Sequence, residues 1–275
     1  MATVTVPHPL PSPEEDAKKL RKAFQGLGTD EKAIIDVLGH GTAAQRAEIA
    51  RTYAVLYKET LVERLDSELS GDFRQAVILW AMDPAERDAK LANEALIWVI
   101  IEVACASDPD HLMAVRKAYC SLFSSSLEED VLRQLLVRLV SSYRYTGEHV
   151  DEGLAQYEAA ELYDAIVIHI LSTRNKSQLK ATFHHYKQGY GKAIDEFTST
   201  LEVAVCCIGS PEKHFAEVVR SSVLGLGTDE DSLTRAIVGR AEIDMKKIKE
   251  EYYKTTLVIG DTSGDYKNFL LTLVG

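Results

Sequence analysis

The chain has 275 residues, 46% of them hydrophobic, and its 31 basic and 42 acidic side chains give a formal charge of −11. That composition belongs to an ordinary folded protein able to bury a core without metal or disulfide staples, and it excludes disordered and collagen-like readings. The negative balance argues against nucleic acid, whose phosphates need basic patches, and it repels an anionic membrane.

The N-terminal stretch MATVTVPHPLPSP (1–13) has neither the positive nor the apolar region of a secretory signal, so we expect a cytosolic chain. No uninterrupted apolar run exceeds seven residues, as in Ala76 to Met82, against the roughly 20 that span a bilayer. Cys105, Cys120, Cys206 and Cys207 form no CxxC spacing and read as reduced, mostly buried thiols.

Internal repetition organises the rest. The segment LRKAFQGLGTDE (20–31) returns as VRSSVLGLGTDE (219–230), identical over GLGTDE. Four apolar blocks, IIDVL (34–38), IIEVA (100–104), VIHIL (167–171) and LTRAI (233–237), mark four related units, and SGDF (70–73) echoes SGDY (263–266). Apolar residues recur at three and four, as in Leu61, Leu65, Leu69 and Phe73, and alternating runs are absent. The expected fold is therefore all-α, with several short helices per unit and their apolar stripes turned inward. Thr29 before Asp30 and Glu31, and Thr228 before Asp229 and Glu230, predict helix N-caps with acidic first turns. Gly28 precedes Glu68 by 40 residues, whereas Gly227 precedes Asp261 by only 34. Comparable shortfalls near Leu96/Ile97, Val131/Leu132, Ile166/Val167 and Phe197/Thr198 read as loops missing from the string.

The repeated glycine loop carries the chemistry. Two glycines at i and i+2 permit positive φ and a turn tight enough to aim successive carbonyls at one point. Converging carbonyl oxygens suit a hard cation, and calcium tolerates irregular sets of six to eight oxygens. Such a loop lacks charge, so a carboxylate must return from elsewhere: Glu68 before SGDF for the first loop, and Asp261 in GDTSGD (260–265) for the second. The competing reading is a plain helix–helix turn with Gly as C-cap and Thr as the next N-cap. No EF-hand run is present, and GYGK (189–192) lacks the remaining P-loop residues.

These loops, together with LRKAF (20–24), DPAERDAKLANEA (83–95), SLEEDV (126–131), LVSSYRY (139–145), LSTR (171–174) and GDY (264–266), resemble an annexin over the whole length, most of all a plant annexin. The resemblance implies four repeats of about five short helices in a curved disc with calcium loops on its convex face. On that pattern the tail would be 1–15 and the repeats 16–86, 87–142, 143–212 with a linker, and 213–275. It implies Ca2+ held by the carbonyls of Phe24, Gly26 and Gly28 with Glu68, and by those of Val223, Gly225 and Gly227 with Asp261. Repeats two and three show no GxGT. The implied function is calcium-dependent docking to acidic phospholipid, peripheral to the membrane and not enzymatic. Leu27 and Leu226 at the loop tips would dip into the interface or pack on their own loops. The alternatives are weak peroxidase or redox activity through His40 or the Cys105/Cys207 pair, and a calcium-independent helical scaffold for protein partners. Actin is one such partner for some plant members, through an IRI motif that stands here as VIHI (167–170); DTSG (261–264) without a P-loop carries no GTPase reading.

Overall fold

In the computed structural model, the described residues are 2–26, 28–94, 97–130, 182, 199–224, 227–255 and 263–275. They form helices and no strand: α1 Pro13–Ala23, α2 Glu31–Leu38, α3 Ala43–Tyr57, α4 Leu61–Glu68, α5 Gly71–Ala81, α6 Pro84–Glu94, α7 Ile97–Ala106, α8 Pro109–Phe123, α9 Ser199–Gly209, α10 Pro211–Val223, α11 Glu230–Arg240, α12 Met245–Thr255 and α13 Gly264–Val274. The unit block VIHIL (167–171) and the junctions at Val131, Ile166 and Phe197 lie outside the described residues.

Side-chain acceptors set where these helices start. Ser12 with Glu15, Thr42 with Gln45 and Thr60 with Glu63 form reciprocal capping boxes at α1, α3 and α4. The expected caps at Thr29 and Thr228 move one residue on. Asp30 accepts from the Ala33 amide at 3.0 Å and Asp229 from the Ser232 amide at 3.1 Å. A carboxylate two bonds from the main chain satisfies the orphan amides and also faces the positive end of the helix. The Leu61-to-Phe73 periodicity spans two helices. All four apolar residues are buried, but Leu69 and Ser70 are extended and Gly71 turns at φ 60°. A four-residue spacing survives this break because α4 and α5 bury the same side of the chain.

The helices divide into two compact units, one made of residues 1–88 and 212–275 and the other of 89–211. In the first unit α5 is central, packing on α2, α3, α4, α11 and α13. That explains its apolar run: Ala76 to Ala81 are all buried, since neighbours surround the helix. Trp80 donates its indole N–H to Leu38 O at 2.8 Å. Arg46 lies 3.6 Å from the Trp80 ring centroid, 1% exposed, and donates to Gly41 O at 2.6 Å and Glu242 at 2.9 Å. Phe73 and Phe269 meet edge to face at 6.0 Å. The SGDF and SGDY echo is conformational too: Ser70 and Ser263 share extended dihedrals, and Gly71 and Gly264 share φ values of 60° and 64°. Buried Tyr266 shares a 2.8 Å hydrogen bond with Thr234, and burial pushes its phenol up to about 12. In the second unit α7 packs on α9, while the Tyr119 hydroxyl accepts from Asn93 and donates to Asp130 at 3.0 Å.

Candidate functional site

The first glycine loop runs from the end of α1 to the start of α2. Phe24 caps α1 and is buried, and the Asp30 amide returns to Ala23 O at 2.9 Å, closing the loop. Between them Gly26 has φ 125° and Gly28 φ 88°, values that place both in the region glycine alone enters cheaply. A Cβ on either would meet nothing within 4 Å, so backbone conformation and not crowding selects glycine.

Glu68 reaches this loop. Because Asp30 takes over the capping of α2, the Thr29 hydroxyl is left to hydrogen-bond to Glu68, 3.2 Å from its carbonyl and 3.4 Å from Oε2. The chain thus brings together residues 39 positions apart in sequence. Arg64, one turn earlier on α4, completes the cluster: one guanidinium nitrogen, Nη2, lies 2.7 Å from Glu68 Oε1 and donates to Phe24 O at 3.3 Å. The Arg64 guanidinium also lies 5.8 Å from the Phe24 ring centroid. Sequence reading missed Thr29 and Arg64 as contacts. The four-residue spacing of Arg64 and Glu68 was a visible signal, but it points to an ordinary helix pair; the Phe24 contact needs the folded chain.

The second loop repeats the first in its described parts. Gly227 has φ 97°, Asp229 has φ −88° and ψ 87° against −86° and 82° at Asp30, and its amide returns to Ser222 O at 2.7 Å. Val223 ends α10, and Leu224 beside it is 62% exposed. Gly225, Leu226 and Asp261 lie outside the described residues, as does Leu27 of the first loop.

Chemically, the first loop offers only oxygen atoms, from main-chain carbonyls and one carboxylate, on an exposed turn. Among the described residues no group of three or more His, Cys, Asp or Glu gathers for a metal, so any ion here depends on carbonyl donors. His40 stands elsewhere, with Nδ1 3.0 Å from Thr5 O, where it ties down the N-terminal arm. Cys105 and Cys207 sit on the packed helices α7 and α9, Cys207 buried, and neither forms a disulfide.

Comparison with known proteins identifies the family. The annexin family model matches residues 15–80 and 214–273. "Annexin D3" of Arabidopsis thaliana is 48% identical over 318 aligned positions, covering 100% of this chain and 99% of that protein. Set against 275 residues here, about 43 of those positions have no counterpart in this chain. "Annexin-like protein RJ4" of Fragaria ananassa is 46% identical, with 100% and 99% covered. Chicken annexin V superposes with a TM-score of 0.80 at 32% identity, covering 100% of this chain and 98% of that one. Calcium-bound annexin (Sm)1 does so with a TM-score of 0.75 at 28% identity over 96% and 90%. The all-α fold, the paired glycine loops and these full-length matches make the chain a member of the annexin family.

Proposed function

We propose that the chain docks on anionic phospholipid membranes in a calcium-dependent way, through Phe24, Gly26, Gly28 and Glu68 in the first repeat and Val223, Gly225, Gly227 and Asp261 in the fourth. The observation that carries this reading is the Glu68 side chain held at the Gly26–Gly28 turn by Thr29. The donor set fits a hard cation. A carbonyl from the end of α1 and a carboxylate from the end of α4 already share a single cationic nitrogen, that of Arg64. Gly26 and Gly28 take positive φ, and a Cβ added at either would meet nothing within 4 Å. The calcium-bound state of the related annexin (Sm)1 supports the same choice of ion.

Each residue has a distinct task. The glycines let the main chain turn its carbonyls outward, Glu68 supplies the negative charge that neutral carbonyls lack, and Thr29 fixes where that charge stands. Calcium, when bound, supplies positive charge with coordination positions open to lipid phosphate oxygens. The protein's own charge of −11 makes such a bridge necessary, since it cannot approach an anionic surface unaided. Exposed Leu224 adds apolar surface beside the fourth-repeat loop. Among the described residues no helix is long and apolar enough to cross a membrane, which suits peripheral attachment. We read the chain as a binding module and not as an enzyme.

The test is co-sedimentation with phosphatidylserine-containing vesicles across a calcium titration. The wild-type chain pellets with vesicles as calcium rises, and Glu68→Gln combined with Asp261→Asn abolishes this while leaving the circular-dichroism melt in place. Unchanged pelleting by the double variant would refute the site.

A further inference from the structure

Arg64 occupies an unusual position relative to the proposed ligands. It stands on α4 one turn before Glu68, its Nη2 lies between Glu68 Oε1 at 2.7 Å and Phe24 O at 3.3 Å, and its side chain is 28% exposed. These are two of the oxygens assigned to calcium in the first repeat. From this we infer that Arg64 is an intramolecular counter-cation for the first loop, and that it raises the calcium concentration this loop requires. The inference rests on the calcium reading of the loop.

The physical case begins with Glu68. It is the last residue of α4, where the helix dipole presents partial negative charge, so a carboxylate there is electrostatically unfavourable and draws in a cation. Arginine before glutamate at four-residue spacing is also the weaker order for a helix pair, so local helix energetics alone do not account for the contact. The guanidinium reaches past its own helix to a carbonyl 40 positions away, as a bound ion would. Its fit is incomplete: Nε is buried without a hydrogen-bond partner. A cation held by one nitrogen, with another donor buried and unsatisfied, is a displaceable one.

The experiment isolates the first loop in an Asp261→Asn background and reads the calcium concentration for half-maximal pelleting with phosphatidylserine vesicles, together with terbium luminescence of the protein alone. Arg64→Gln and Arg64→Met each lower the half-maximal calcium, and strengthen terbium binding, by about two- to five-fold, the range set by a partly exposed ion pair. A merely structural arginine predicts a lower melting temperature with no gain in ion affinity. Equal or higher calcium requirement in both folded variants would overturn the inference. If Glu68→Gln in the same background also leaves the calcium requirement unchanged, the site assignment itself fails, and the arginine proposal with it. If Glu68→Gln weakens binding and the Arg64 variants do not strengthen it, only the arginine proposal fails.

Discussion

Gly28 and Gly39 are both indispensable as glycine, for opposite reasons. Gly28 has φ 88° and open space around its missing Cβ, so a side chain there strains the backbone and touches nothing. Gly39 has ordinary helical dihedrals, φ −67° and ψ −21°, but a Cβ would stand 2.7 Å from Ile35 O and 2.8 Å from Thr272 Cγ2 on α13. Gly28→Ala should cost about 1 kcal/mol through the left-handed penalty. Gly39→Ala should cost about 2–3 kcal/mol through overpacking. Urea denaturation of the variants checks both values. Thr272→Ser, which removes the Cγ2 methyl, should return part of the Gly39→Ala loss and none of the Gly28→Ala loss. Recovery of both, or of neither, would show that the two glycines are not selected by different forces.

Between elements, the first unit is tied together by a buried cation. Arg46 on α3 stacks on Trp80 of α5 and pairs with Glu242 beyond α11, while the Glu242 carboxylate also accepts from the Ala43 amide at 2.6 Å. Burial lowers the guanidinium below its usual range, although the Glu242 contact offsets part of that shift. Truncation to Arg46→Ala leaves Glu242 and Gly41 O short of a donor and opens space beside Trp80, so the loss should be about 3 kcal/mol in a chemical-denaturation midpoint experiment. Combining it with Glu242→Gln should cost less than the sum of the single variants, because both remove one interaction. None of this was legible in the sequence, where Arg46 is one more charge on a helix of alanines. What was legible had local causes. The identical GLGTDE segments announced identical turns, matched here to within about 10° at Gly28 and Gly227. The caps at Thr29 and Thr228 were misplaced by one residue because adjacent Thr and Asp both accept well. Both loops make the same choice, with Asp30 and Asp229 as the caps. The cation held by Glu68 was hidden because Phe24 and Arg64 are far apart until α1 and α4 are folded together.

At the scale of the whole molecule, the proposed calcium bridge works against the net charge. A chain of charge −11 is repelled by anionic lipid at long range, and this repulsion weakens as salt shortens the screening length. Attraction through an ion bridge is also electrostatic and weakens under the same screening. The two cases are distinguishable because their signs differ. In chelator the chain should stay in the supernatant at every salt concentration, since screening a repulsion creates no attraction. With calcium present, pelleting on phosphatidylserine vesicles should fall as sodium chloride rises, and addition of chelator should release the bound chain. Phosphatidylcholine vesicles should capture little under any condition, because their headgroups carry no net negative charge. A basic-patch binder would behave otherwise, pelleting in chelator at low salt and leaving the vesicles as salt rises. Observation of that second pattern would transfer the membrane contact from the glycine loops to the lysine- and arginine-bearing faces of the helices.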